Sequence, residues 1–156
     1  MTRPTSTPDQ PIRAVLYLRV STGAQALKDL SVPDQRRQLE AYCQRLGWQV
    51  VGEYEDNSSG FQGTRAKLDE MLEDAELGVR RFERVVVHSF SRYFRDAVEA
   101  ELSIRALRKR GIEVVSVTQE VGHDEIGDMM RRLIMLFDEH SSRETSKHVK
   151  RSLREN

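Results

Sequence analysis

Two groups of residues in this chain could do chemistry on a phosphate. Residues 14–20 form an apolar run broken only by Arg19, and in an extended strand Tyr17, Arg19 and Ser21 project from one face. A hydroxyl and a guanidinium then converge where the strand gives way to the turn sequence Ser21-Thr22-Gly23. Arg92 and Arg95 stand three apart at an expected helix start, one turn from each other, and can grip neighbouring oxygens of one phosphate. Each group has an ordinary reading when taken alone: Ser21 opens a turn, Arg19 forms a surface pair, and Arg95 pairs with Asp96 or Glu99. Together they describe a hydroxyl nucleophile beside a cationic cradle. Attack on a phosphodiester builds negative charge on the equatorial oxygens, and preorganised arginines offset that charge without a metal. No cofactor and no metal is expected.

The histidines add little to this set. His88, His123, His140 and His148 show neither triad order nor metal-ligand spacing. Only His88 follows a strand toward the arginines, and a hydrogen-bonded structural role suits it better than that of a base.

The elements that must position these groups alternate along the chain. After the strand at 14–20, Ser31 with Pro33 and Asp34 marks a helix start; Leu39, Tyr42, Cys43 and Leu46 recur at helical spacing until Gly47 stops it. A strand at 50–54 follows, then a helix marked by Leu68, Met71, Leu72 and Ala75 that ends near Gly78, then a short strand at 85–87. A third helix is expected over 96–110 with Gly111 as its stop, and a strand over 112–117. This alternation predicts an α/β fold: three layers, a mostly parallel sheet flanked by helices. Such sheets bind ligands beyond the carboxyl ends of their strands, where both groups would lie.

The ends of the chain read differently. Residues 1–11, rich in Pro, Thr and Ser, are expected to be a disordered leader, with a catalytic core over 12–125. From 126 to 156 a long helix is expected, with Ile126, Met130, Leu133 and Phe137 as an apolar stripe, then a charged tract in which only Val149 and Leu153 are apolar. A helix of that kind needs a partner chain, DNA or a missing downstream domain, and because the sequence ends inside it without a cap we expect the chain to be truncated; the expected assignment is a dimerisation element with its DNA-binding domain absent. Lys147, Lys150, Arg151 and Arg154 could meet phosphates there, although a solvated face is the default.

Composition bounds the remaining choices. The 25 basic and 25 acidic residues cancel, so the fragment lacks the basic footprint of a free-standing DNA-binding module and its own DNA affinity should be weak. A single cysteine, Cys43, excludes an internal disulfide framework and is expected to pack in the core. With no apolar stretch long enough to span a bilayer and no signal peptide core, the expected location is the cytoplasm, without membrane contact.

Three motifs in register resemble the serine site-specific recombinases of the resolvase and invertase type. Tyr17-Leu18-Arg19-Val20-Ser21-Thr22 followed by Gln25 resembles their nucleophile motif. Asp56-Asn57-Ser58-Ser59-Gly60 with Arg65-Ala66-Lys67-Leu68 resembles the next block, and Ser91-Arg92-Tyr93-Phe94-Arg95-Asp96 the arginine block. The likeness covers about residues 13–150. The segment Leu30-Ser31-Val32-Pro33-Asp34-Gln35 and the block Val114-Val115-Ser116-Val117-Thr118-Gln119 are most similar to the large serine integrases and the resolvase-like transposases.

The resemblance implies that Ser21 is the nucleophile, that Arg19, Arg92 and Arg95 contact the scissile phosphate, and that Tyr17, Gln25, Gln35, Asp56, Ser59, Arg65 and Ser91 support the site. It implies a covalent 5′-phosphoserine link through which double-stranded DNA is cut and rejoined, by a homodimer that becomes a tetramer in synapsis. A prokaryotic, phage or mobile-element origin and a directionality factor go with it. The sequence departs from the family pattern at Ser91, where resolvases commonly carry Asp, and at Ser142-Arg143, which replaces a common Glu-Arg pair.

Other classes remain to be separated by the structure and by experiment. A catalytically idle dimerisation or regulatory domain of the same fold would keep the helix without the chemistry. A metal-dependent nuclease would use Glu53, Glu55, Asp56 and Asp124, and a phosphate-binding regulatory domain would bind a small phosphorylated ligand.

Overall fold

The computed structural model describes residues 10–20, 30–57, 66–78, 81–93, 97–122 and 124–155; within these, nothing is said of the side chains at 20, 57, 91, 92, 138, 139, 141–150 and 155. Four strands and five helices follow in the order β1 (Arg13–Val20), α1 (Val32–Leu46), β2 (Gln49–Asn57), α2 (Ala66–Leu77), β3 (Arg84–Val87), α3 (Phe90–Tyr93), α4 (Ala97–Lys109), β4 (Glu113–Ser116) and α5 (Glu125–Glu155) among the described residues. The strands form one sheet in the order β2-β1-β3-β4, every neighbouring pair parallel. β1 is therefore central, and the direction of winding reverses between β1 and β3.

Alternation along β1 sends its side chains to two separate cores. Ala14, Leu16 and Leu18 pack with Val86 against Leu39 and Cys43 of α1. Val15 and Tyr17 face the other way, with Tyr54, Val85, Val87 and Val114, and are covered by Leu68, Met71 and Ala75 of α2, Ala100, Ile104 and Leu107 of α4, and Met135 of α5. The result is the expected three-layer α/β arrangement, with β1 covered on both faces because its run of apolar residues needs cover on both.

Local signals explain the boundaries. Ser31 caps α1 by accepting from the Asp34 amide, and Gly47 ends the helix in the left-handed region at φ 71°, with its neighbour's amide closing onto the Cys43 carbonyl. Cys43 packs as expected, and burial, helped by the Glu40 charge, pushes its thiol up to about 11. At the start of α5 the Asp124 carboxylate accepts from the Gly127 amide at 2.8 Å. Gly127 has to be glycine, since a Cβ there would lie 1.8 Å from the Gly122 carbonyl oxygen.

Two expectations change. β2 extends to Asn57 rather than stopping at 54, because pairing with β1 continues to Val20↔Asn57. The helix expected over 96–110 is α4, from Ala97; Arg92 stands ahead of it on a single turn, α3, and 94–96 lie outside the described residues. The last strand is shorter than 112–117. The expected leader lies, apart from Gln10 and Pro11, outside the described residues.

Among the described residues no helix is long and apolar enough to cross a membrane. Along α5, Ile126, Met129, Met130, Leu133, Leu136 and Phe137 are exposed, while Arg131 and Met135 are buried against the body of the domain.

Candidate active site at the carboxyl edge of the sheet

The site is built where β1, β2 and β3 end. Arg19 lies two residues beyond Tyr17 on the same face of β1 and is paired in register with Asp56 of β2; only 9% of it is exposed. Tyr17 is buried, and its hydroxyl donates to Asp56 Oδ2 at 2.7 Å. Asp56 also accepts from the amides of Lys67 (2.9 Å, Oδ1) and Leu68 (3.1 Å, Oδ2). One carboxylate thus caps the first turn of α2, where amides lack helical partners, and fixes a tyrosine on the neighbouring strand. A negative charge is favoured there by the helix dipole as well.

Gln35 does the equivalent on the other face. It is 2% exposed, and its Nε2 donates to the carbonyls of Arg19 (3.3 Å) and Leu30 (2.9 Å). Gln35 therefore ties together the two ends of the segment that carries Ser21 and Gln25. Asp56 likewise joins the strand before the segment bearing Ser59 and Arg65 to the helix after it. Ser21, Gln25, Ser59, Arg65 and Arg95 themselves lie outside the described residues, and Ser91 and Arg92 are described only in their backbone, on α3.

α3 meets β1 through aromatic rings. Tyr93 and Tyr17 stand edge to face, with centroids 6.2 Å apart, and the Tyr93 hydroxyl shares a 2.6 Å hydrogen bond with Ser103 of α4. Burial raises the Tyr93 phenol far above its ordinary value, against the smaller opposing effect of Ser103, so it stays neutral. Tyr93 falls within the arginine block, but only its apolar character between two arginines hinted at an anchoring role. His88, at the end of β3, makes a 3.1 Å contact from Nε2 to Gln38 of α1.

The acidic set of the nuclease reading is dispersed. Glu53 and Glu55 share Arg36 on the α1 side of β2, at 2.5 and 3.1 Å, whereas Asp56 points to the opposite face and Asp124 caps α5. Among the described residues no group of three or more His, Cys, Asp or Glu side chains is placed to hold a metal ion.

A doubly wound parallel sheet with Tyr17, Arg19, Gln35 and Asp56 gathered at the carboxyl ends of β1 and β2 is the α/β architecture in which ligands generally bind beyond that edge. The family model described as "Resolvase, N terminal domain" matches residues 14–156, and the chain belongs to that family. A putative DNA recombinase of Bacillus subtilis (strain 168) is 31% identical over 129 residues, covering 79% of this chain and 24% of that protein. The chain thus spans about a quarter of the length of that curated relative.

Among solved structures, the N-terminal catalytic domain of TP901-1 integrase is 25% identical with a TM-score of 0.62, covering 85% of this chain and 98% of that one. A resolvase family site-specific recombinase from Streptococcus pneumoniae has the same fold, with a TM-score of 0.67 at 23% identity over 92% of this chain and 99% of that one. The C-terminal catalytic domain of ISC1926 TnpA, an IS607-like serine recombinase, is 25% identical with a TM-score of 0.57, covering 80% of each chain. The chain has the fold of a serine recombinase catalytic domain.

Proposed function

We propose that this domain cleaves and rejoins double-stranded DNA with Ser21 as nucleophile. The observation that carries the reading is topological: β1 and β3 are parallel neighbours, so the segment after Arg19, bearing Ser21, and the turn after Val87, bearing Arg92, leave the same edge of the sheet at its switch point. Ser21 Oγ attacks the scissile phosphorus, a new O–P bond forms as the bond to the 3′ oxygen breaks, and the proton lost from Ser21 is balanced by one delivered to the leaving oxygen. Arg19, Arg92 and Arg95 hold the phosphate and offset its developing charge. The phosphoserine keeps the energy of the broken link, so the reverse attack of a 3′ hydroxyl reseals a strand without a high-energy cofactor.

Tyr17, Gln25, Gln35, Asp56, Ser59, Arg65 and Ser91 support these groups. The positions of Gln35 and Asp56 favour that role, since each bridges the flanks of a segment carrying reactive candidates. The core over 12–125 carries the chemistry, and the helix from 126, with its exposed apolar stripe, pairs with a second copy; two dimers form the tetramer of synapsis. A DNA-binding domain and a directionality factor complete the system, in the cytoplasm of a bacterial or phage-bearing host.

The test is to join the chain to a DNA-binding module of known site and trap a protein–DNA adduct on a nicked duplex in the presence of a chelator. An adduct that disappears in Ser21→Ala is the expected result. No adduct, or one that survives Ser21→Ala, removes Ser21 from this role and favours a catalytically idle dimerisation domain; cleavage without an adduct that a chelator abolishes favours a metal nuclease.

A further inference from the structure

We infer that Gln119, three residues beyond β4, is a positioning residue for the arginine block, acting through the backbone of α3; this role rests on the cleavage reading above. α3 is one turn long, from Phe90 to Tyr93. A single turn gains too few internal hydrogen bonds to set its own geometry, so its orientation, and with it the direction in which Arg92 leaves the backbone, must come from contacts outside it.

The contacts form a closed circuit between β3–α3 and the segment after β4. The Phe90 amide, at the start of α3, donates to Gln119 Oε1 at 3.0 Å. The Gln119 amide donates to Ser116 Oγ at 3.1 Å, and Ser116 Oγ donates to the His88 carbonyl at 3.0 Å. The same carbonyl accepts from the hydroxyl and the amide of Thr118, at 2.7 and 3.1 Å. His88 and Phe90, on either side of Ser89, are thereby fixed to one short segment, from Ser116 at the end of β4 to Gln119.

Two features separate Gln119 from the rest of the circuit. Ser116 is buried and Thr118 binds partly through its own backbone, so the His88 end holds whether or not Gln119 is present. Gln119 supplies the side-chain acceptor for the first amide of α3, a donor that has no partner within a single turn. Phe90 and Tyr93 keep their apolar packing without it. Loss of Gln119 therefore frees the pitch of α3 while leaving the core closed, which is the signature of positioning rather than of stability. The block of residues 114–119 stood out in the sequence only as a family likeness; the circuit gives it a physical task.

The test compares Gln119→Leu and Gln119→Glu with the unaltered protein in the nicked-duplex assay, measuring the single-turnover rate of adduct formation, duplex affinity and thermal midpoint. Gln119→Leu removes the acceptor and should slow adduct formation roughly 10- to 100-fold, the scale of a misplacement of about 1 Å, with affinity within about twofold and a midpoint lowered only slightly, so that the protein stays folded in the assay. Gln119→Glu keeps an acceptor oxygen at the same reach and should restore most of the rate. If the unaltered protein forms a Ser21-dependent adduct and Gln119→Leu forms it equally fast, the positioning role alone is overturned. A rate loss matched by an equal loss of folded protein, or one that Gln119→Glu does not rescue, overturns it as well. If the unaltered protein forms no adduct, the cleavage reading fails first and this role falls with it.

Discussion

The two faces of the sheet are built on different principles. On the α1 side, Ala14, Leu16, Leu18, Leu39 and Cys43 make an apolar cluster in which packing does nearly all the work, with Gln35 as a buried polar group at its edge. On the opposite side, apolar packing is threaded with buried groups that need particular partners: Tyr17 with Asp56, Tyr54 with Asp74, Tyr93 with Ser103, and Arg131 with Glu101 and Asp128. An apolar cluster tolerates any filling of about the right volume. A buried hydroxyl or carboxylate tolerates only geometry that satisfies it, so it fixes orientation as well as compactness. The face whose groups demand fixed orientation is the face on which Arg19 lies.

Paired substitutions across the sheet give the largest effect. Leu39→Ala opens a cavity on the α1 side, and Asp56→Ala leaves two amides and a buried tyrosine hydroxyl without their acceptor; each should cost about 3 kcal/mol, read as a shift in the urea midpoint. Their effects on cleavage should differ. Corrected for folded fraction, Leu39→Ala should form adduct at the unaltered rate, while Asp56→Ala should be slower, since it frees α2 from the end of β2. Equal behaviour of the two would abolish the distinction between the faces.

Tyr17→Phe sharpens the same comparison at lower cost. It removes one donor to a carboxylate that keeps two amides, and should destabilise by about 1–2 kcal/mol while the ring contact with Tyr93 survives. A stability loss as large as that of Asp56→Ala would mean that the tyrosine, rather than the cap on α2, holds this edge together.

The same contrast decides how much could be read in the sequence. The apolar alternation of 14–20, the Ser31 cap and the glycine stops at 47 and 111 are local signals, and the strands and helices they announce are present with ends shifted by a few residues. Tyr17, Arg19, Gln35 and Asp56 were legible as site candidates because the motif gathers them, and they do meet at one edge. What stayed hidden was set by long-range pairing. That Asp56 would cap a helix starting 10 residues later, or that Gln119 would reach the amide of Phe90, depends on strand order, which no local pattern contains. The single turn α3 was not announced for the same reason: it is held by Tyr17 of β1 and by Gln119 beyond β4 rather than by its own propensity.

The smallest effect concerns the charged cluster that binds the start of α5 to α4, and it separates that cluster from the buried tyrosines by its response to acid. Arg131, 3% exposed, donates to Glu101 at 2.9 Å and to Asp128 at 3.0 Å; Arg132 also reaches Glu101, and Arg108 reaches Asp128 and Glu113. Burial pushes the Glu101 carboxyl up, but Arg131 and Arg132 more than reverse this and leave it below its ordinary value. Asp128 is lowered first by its hydrogen bond from Arg108. A carboxylate with a lower pKa in the folded state than in the unfolded state gives stability that is complete above the unfolded value and fades as pH falls through the folded one. The thermal midpoint of the unaltered protein should therefore exceed that of a Glu101→Gln, Asp128→Asn double variant by a constant amount at neutral pH. The gap, roughly 1 kcal/mol for a cluster still partly reached by water, should close as the pH drops below the ordinary values of 4.5 and 3.8. Tyr93, raised by burial, stays neutral throughout that range. No gap at neutral pH would mean that α5 is held by the packing of Met135 rather than by ionised carboxylates.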